Sequence, residues 1–146
     1  MKFKIAIVAG LAVLALTGAA GAQDAPGTLE LVSVEQRCGT ADNGRRGDSL
    51  GDLLACRGSL QQDGRNAGRV HWTCVYLGAE RRGEDCTATV NLAGGTLQLA
   101  GVLSHVNPVS AWAIVGGTGD YAGARGTARL RQLSATRTAA TLTLLP

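Results

Sequence analysis

The chain has 146 residues, with 14 Lys and Arg against 11 Asp and Glu, a formal charge of +3. Its two lysines, Lys2 and Lys4, lie at the very start, so the chain after residue 22 carries 12 Arg minus 11 acids, or +1. That balance, with aromatic residues at only 3%, excludes a basic nucleic-acid-binding surface interleaved with base-stacking aromatics.

Residues 1–22 predict a cleaved secretory signal peptide. Lys2 and Lys4 make the basic start, Ile5 to Leu16 the apolar core, and Ala20-Gly21-Ala22 the small-residue cleavage site before Gln23. The apolar run is too short for a membrane-spanning helix and too soon followed by small residues, and no later segment approaches spanning length. Residues 23–146 then form one exported domain of 124 residues (146 minus 22), enough for a modest core. Secretion or a periplasmic location follows from the leader, with no membrane span after cleavage.

Short runs rich in Val, Leu, Thr and Ala alternate with Gly, Asp and Asn through the rest, and nothing has a helical period. Thr28 to Glu35 alternates Leu29, Leu31 and Ser33 against Thr28, Glu30 and Val32. A polar loop with Asn43-Gly44 and Gly47 leads to Ser49–Leu60, where Gly51 and Gly58 mark bends. Gly68–Leu77 follows the Asp63-Gly64 turn. Cys86–Leu92 and Thr96–Leu103 flank a Gly94-Gly95 hairpin turn. Val109–Val115, Ala124–Leu133 and Arg137–Leu145 complete eight strands. The expected fold is all-β, an eight-stranded antiparallel up-and-down β-barrel that closes on itself and leaves no edge; a two-sheet sandwich is the competing arrangement. Trp112 and Ile114 alternate with Ala111, Ala113 and Val115, so this strand is apolar on both faces and predicts a homo-oligomer.

Cys38, Cys56, Cys74 and Cys86 all lie in the exported part, and an even count there predicts two disulfides. Three connectivities are open. The neighbouring pairs Cys38–Cys56 and Cys74–Cys86 are favoured because each brackets a polar loop or turn. No metal site is expected, since a close Cys pair is missing and only His71 and His105 could help. Either histidine reads by default as a hydrogen-bonded structural residue.

Two local patterns invite a functional reading and fail on context. Gly47-Asp48-Ser49-Leu50-Gly51 satisfies the nucleophile-elbow pattern of serine hydrolases, which needs a helix after the serine. The residues after Ser49 read as a strand, and no Asp-x-x-His element follows. Val115 to Ala122 resembles a dinucleotide-binding glycine turn, which likewise needs a helix N-terminus inside a βαβ unit. Only 27 residues remain after Gly119, alternating and threonine-rich.

The same glycine-rich hairpin, Ile114-Val-Gly-Gly-Thr-Gly-Asp-Tyr-Ala-Gly-Ala-Arg-Gly126, resembles the signature of dirigent proteins and bacterial allene-oxide-cyclase-like barrels. Gly47-Asp-Ser-Leu50 resembles their strand-opening segment, and Cys86 to Leu103 their Cys-Thr-x-Thr hairpin. The resemblance covers residues 28–145. It implies an eight-stranded barrel, commonly trimeric, with a cavity for a hydrophobic small molecule and no cofactor. It further implies a cyclase, isomerase or stereochemical guide, in which an acid such as Asp52 or Asp120 moves a proton and Arg125, on the family's Ala-Arg-Gly position, steadies an anion. Trp72, Tyr76, Trp112 and Tyr121 are the candidate ligand-binding residues. Each has a plainer role: turn former for Asp120, packing for the aromatics, and a solvated outer face for Arg125, which alternates in register with Thr127, Arg129 and Arg131. The alternative is a non-catalytic secreted barrel that binds a small ligand or a protein partner; a purely structural oligomer is a third class.

Overall fold

The computed structural model describes residues 27–78 and 83–146. The expected signal peptide lies outside the described residues. Eight strands run in chain order: β1 Thr28–Ala41, β2 Leu53–Gln62, β3 Arg65–Tyr76, β4 Gly83–Leu92, β5 Gly95–Ser104, β6 Val109–Gly119, β7 Gly126–Ser134 and β8 Arg137–Leu144. Each pairs antiparallel with its neighbour, and β1 pairs with β8, so the sheet is a closed barrel. The sandwich is thereby ruled out. The described residues contain no helix, which disposes of the nucleophile-elbow and nucleotide readings together.

Alternation decides which side chains fill the barrel. Leu31, Leu60, Val90, Leu97, Leu99 and Leu142 are all buried, and they form one continuous core with Trp112 and Ile114. Burying a large aliphatic side chain contributes about 1.5–3 kcal/mol. Trp112 lies directly over Gly101 on the neighbouring strand, where an added Cβ would fall about 2.5 Å from the indole. Its Nε1–H donates to the Val102 carbonyl at 3.1 Å, so the one polar atom of the ring is satisfied inside the wall. Glycine at position 101 is therefore what admits the tryptophan.

The strand ends differ from the sequence reading in one consequential place. β1 does not stop at Glu35 but continues to Ala41 through an irregularity between Val34 and Arg37. Glu35 adopts φ 54°, and the register passes from Val34↔Ser59 to Arg37↔Arg57, so β1 carries one extra residue. The extra residue reverses the alternation. Cys38 consequently faces Cys56, and Arg37 points outward. Both favoured disulfides form, Cys38–Cys56 and Cys74–Cys86, each between directly opposed residues of adjacent strands. The Gly-Gly turn, the outward row Thr127, Arg129 and Arg131, and the double-sided apolar pattern of β6 are all found as expected.

Candidate functional site

The barrel has two unlike ends. One carries the β2–β3 turn, the β4–β5 turn and the β6–β7 hairpin loop; the other carries the long β1–β2 loop, the β3–β4 and β5–β6 connections and the β7–β8 turn. At the first end Leu29, Leu92, Tyr121 and Leu144 pack against the core, and Leu29, Leu31, Leu92 and Tyr121 also line an open depression of about 420 Å³. At the second end the packing is incomplete, leaving an interior cavity of about 230 Å³. Its deep wall is apolar, with Leu31, Leu60, Leu99, Trp72 and Trp112; Gln36, Ser104, Asn107, Pro108 and Ala135 lie toward the open end.

None of the described residues lining this cavity is ionisable. Polar groups are few. Gln36 Nε2–H donates to Thr138 Oγ1 at 3.1 Å, and Ser110 Oγ accepts the Ser104 N–H at 3.2 Å. Ser33 is the exception: its hydroxyl is buried in the wall, with no hydrogen-bond partner among the described residues. An unsatisfied buried hydroxyl costs about 1–3 kcal/mol. The sequence places Ser33 on one face of β1 with Leu29 and Leu31 and attaches no role to it. Gly58 on β2 leaves the room the hydroxyl occupies, since an added Cβ there would lie 2.6 Å from its oxygen.

The three residues expected to do chemistry are not brought together. Asp52 lies in the β1–β2 loop at the cavity's end, whereas Asp120 and Arg125 lie in the β6–β7 loop at the opposite end. Asp52 organises its own loop: Oδ1 accepts the Asn43 N–H at 2.8 Å and Oδ2 accepts the Ser49 N–H at 2.6 Å. The Ser49 hydroxyl adds a third bond at 3.1 Å. These bonds, from the Ser49 amide first and the Asn43 amide next, hold its carboxyl below the ordinary aspartate value. Ser49, the serine of the rejected hydrolase pattern, is thus a partner of this carboxylate.

Asp120 is exposed and its main-chain N–H donates to the Gly94 carbonyl at 2.8 Å, tying the hairpin to the β4–β5 turn. Gly119 beside it has φ 62° and sits against Gly94, a backbone conformation and a closeness that only glycine combines. Arg125 is exposed, and its carbonyl accepts the Leu145 N–H at 2.8 Å. Neither side chain reaches the cavity. Among the aromatic candidates, Trp72 and Trp112 line it, Tyr121 packs at the opposite end, and Tyr76 stacks on His105 with ring centroids 6.1 Å apart. His105 Nε2 in turn lies 3.1 Å from Glu84 Oε1. Cys74, Glu84 and Cys86 are close together, but the cysteines are joined to each other and offer no thiolate to a metal.

Comparison with known proteins agrees with the resemblance read from the hairpins. A model of the dirigent-like protein family matches residues 85–144, from the start of β4 to the end of β8. No curated protein matches the sequence. Among solved structures, a pyocyanin demethylase superposes with a TM-score of 0.72 at 24% identity, covering 82% of this chain and all of the other. A pterocarpan synthase dirigent protein gives 0.68 at 16% identity, covering 84% and 96%. The Diels–Alderase AbmU from Streptomyces koyangensis gives 0.63 at 17% identity, covering 88% and 72%. At these identities the likeness shows the fold.

Proposed function

We propose that this dirigent-like barrel is an exported, cofactor-free host for a hydrophobic small molecule, which it holds in one conformation so that a cyclisation, isomerisation or coupling gives one stereoisomer. The observation that carries the reading is the interior cavity between Trp72 and Trp112, open at one end and uncharged among its described lining residues, with the partnerless Ser33 hydroxyl in its wall. At about 230 Å³ it is roughly one and a half times the ~150 Å³ that accepts benzene, so it suits a compound of one or two rings. Such a wall supplies exclusion of water and restriction to a reactive conformer. With no titratable group among the described lining residues, the proposal assigns the reactivity to the ligand itself.

The superposed proteins carry small-molecule chemistry on the same fold: a demethylase, a pterocarpan synthase and a Diels–Alderase. Arg125 and Asp120 have no part in the cavity on this reading, and Asp52 acts on its loop. The second reading, a barrel that binds without catalysing, is favoured by the same lack of titratable groups. Both readings place the ligand in one cavity, and turnover separates them.

Export accords with the two disulfides, which point to an extracellular or otherwise oxidising compartment. Self-association, a trimer by resemblance, belongs to the same proposal. Its proposed surface is the outer face of β5–β6, where Val102 and Val115 are 49% and 59% exposed beside Ala111 and Ala113.

The test is native mass spectrometry of the protein from its own organism, comparing wild type with Ala88→Phe and Ser33→Ala. Ala88 is buried in the cavity wall, so a phenyl ring there fills the space. A co-purifying small molecule lost in Ala88→Phe and weakened about fivefold or more in Ser33→Ala supports the assignment, provided near-ultraviolet circular dichroism shows the barrel intact. Retention of the molecule in a folded Ala88→Phe protein sinks it.

A further inference from the structure

The outer wall of β1–β3 carries a second feature, independent of the cavity. Arg37 on β1 lies directly opposite Arg57 on β2, and Arg57 directly opposite His71 on β3. Arg69, two residues from His71 on the same strand, lies between Ser59 and Asn91. Neighbouring strands are about 4.8 Å apart and alternate residues about 6.8 Å, so these side chains form a compact array on one surface. All four are exposed.

Like charges directly opposite each other in a sheet are destabilising, and nothing in the barrel compensates them. Among the described residues the one ion pair is His105 with Glu84, so none of the three arginines has a carboxylate within 4.0 Å. The wall is concave here, an open depression of about 1040 Å³ in which Glu35 is the sole carboxylate among the described lining residues. Asn66, Asn91 and Ser59 add neutral hydrogen-bonding groups to its surface. The β1 irregularity at Glu35 is what turns Arg37 to this side.

We propose that this face binds an anionic polysaccharide, with Arg37, Arg57 and Arg69 pairing to its carboxylate or sulfate groups and the amides of Asn66 and Asn91 to its hydroxyls. The depression is open to solvent rather than enclosed, which suits a polymer lying across it rather than a sequestered small ion. Its lining holds no Phe, Tyr or Trp on which bases would stack. It also lacks the large exposed apolar side chains that would enter a lipid surface. Guanidinium groups pair with planar carboxylate and with sulfate through two parallel N–H bonds, which fits this choice of cation over lysine. The exported protein contains no lysine after Lys4.

The experiment measures binding of the full mature protein to size-defined heparin and alginate fragments, by calorimetry or surface plasmon resonance, over a series of salt concentrations. Wild type is expected to bind with an affinity that falls as salt rises. The charge-matched pairs Arg57→Ser/Arg69→Ser and Arg129→Ser/Arg131→Ser separate a site from diffuse attraction. The first is expected to weaken binding roughly tenfold, as the loss of two exposed ion pairs allows, and the second to leave it within about twofold. Should the first double variant fail to fold, Arg69→Ser alone gives the same direction, and Arg57→Lys/Arg69→Lys should keep part of the binding. Three results overturn the proposal: no salt-dependent binding by wild type, equal losses in the two pairs, or tighter binding of duplex DNA through the same arginines. None of them touches the cavity assignment, which rests on other residues.

Discussion

Asp52 shows how far the meaning of one side chain depends on its surroundings. As a residue type it is a candidate acid; in the structure both carboxylate oxygens are occupied by the Asn43 amide and by the Ser49 amide and hydroxyl. The carboxyl is held below its ordinary value, so folding favours the ionised form. The loop stabilisation it supplies is fully present above the ordinary aspartate value of 3.8 and is lost as pH falls through the lower folded value. Hydrogen exchange at the Asn43 and Ser49 amides, corrected for intrinsic rate, should therefore stay slow through neutral and mildly acidic pH and accelerate only in strong acid. Asp52→Asn should bring the fast exchange to neutral pH while leaving the barrel strands protected. Unchanged protection in that variant would show that the loop holds itself. Ser33 makes the converse point: a serine to which the sequence attaches no role becomes a buried hydroxyl without a partner among the described residues, in the room that Gly58 leaves it.

At the scale of elements, the strands were legible wherever alternation ran uninterrupted. Leu29, Leu31 and Ser33 in β1, and Trp112 and Ile114 in β6, point inward as their period predicts. The extension of β1 to Ala41 was not legible, because Gly39 and Thr40 look like loop residues and are strand only by pairing with Ala55 and Leu54 on β2. The Cys38–Cys56 disulfide follows from that pairing. Cys74–Cys86 ties β3 to β4 with both residues at most 1% exposed, over a separation of 12 residues. Replacing both by alanine should cost about 2–4 kcal/mol, through the freer unfolded chain and the lost packing. Equilibrium urea unfolding measures it as a lower midpoint with a larger m-value, since the uncrosslinked chain exposes more surface. A cost near zero would mean that β3 and β4 hold without the bridge.

On the scale of the whole molecule, closure of the sheet sets where chemistry is available. Because consecutive strands alternate direction, loops that follow odd strands and loops that follow even strands collect at opposite ends. Asp52 and Arg125 are therefore separated by the length of the barrel, whatever their individual chemistry. The outer wall is left to surfaces, and the apolar face of β5–β6 gives the proposed self-association. Light scattering on the mature protein at micromolar concentration should report an oligomer, and Val102→Asp/Val115→Asp should reduce it to a folded monomer. A monomeric wild type would remove that part of the proposal.

The amino-acid order alone determined the all-β class, the count of eight strands, the inward side chains, the disulfide partners as the favoured pairing, and the glycine hairpin's likeness to dirigent-type barrels. These are local quantities: a period of two, turn residues at fixed offsets, and bridges spanning nearby loops. Only the tertiary structure decided where the cavity opens, that its described wall residues carry no charge, and that Arg125 and Asp120 stand outside it. It also decided that three arginines share one face. Those are consequences of register and closure, set by pairings between residues far apart in sequence, where one extra residue in β1 exchanges inside for outside.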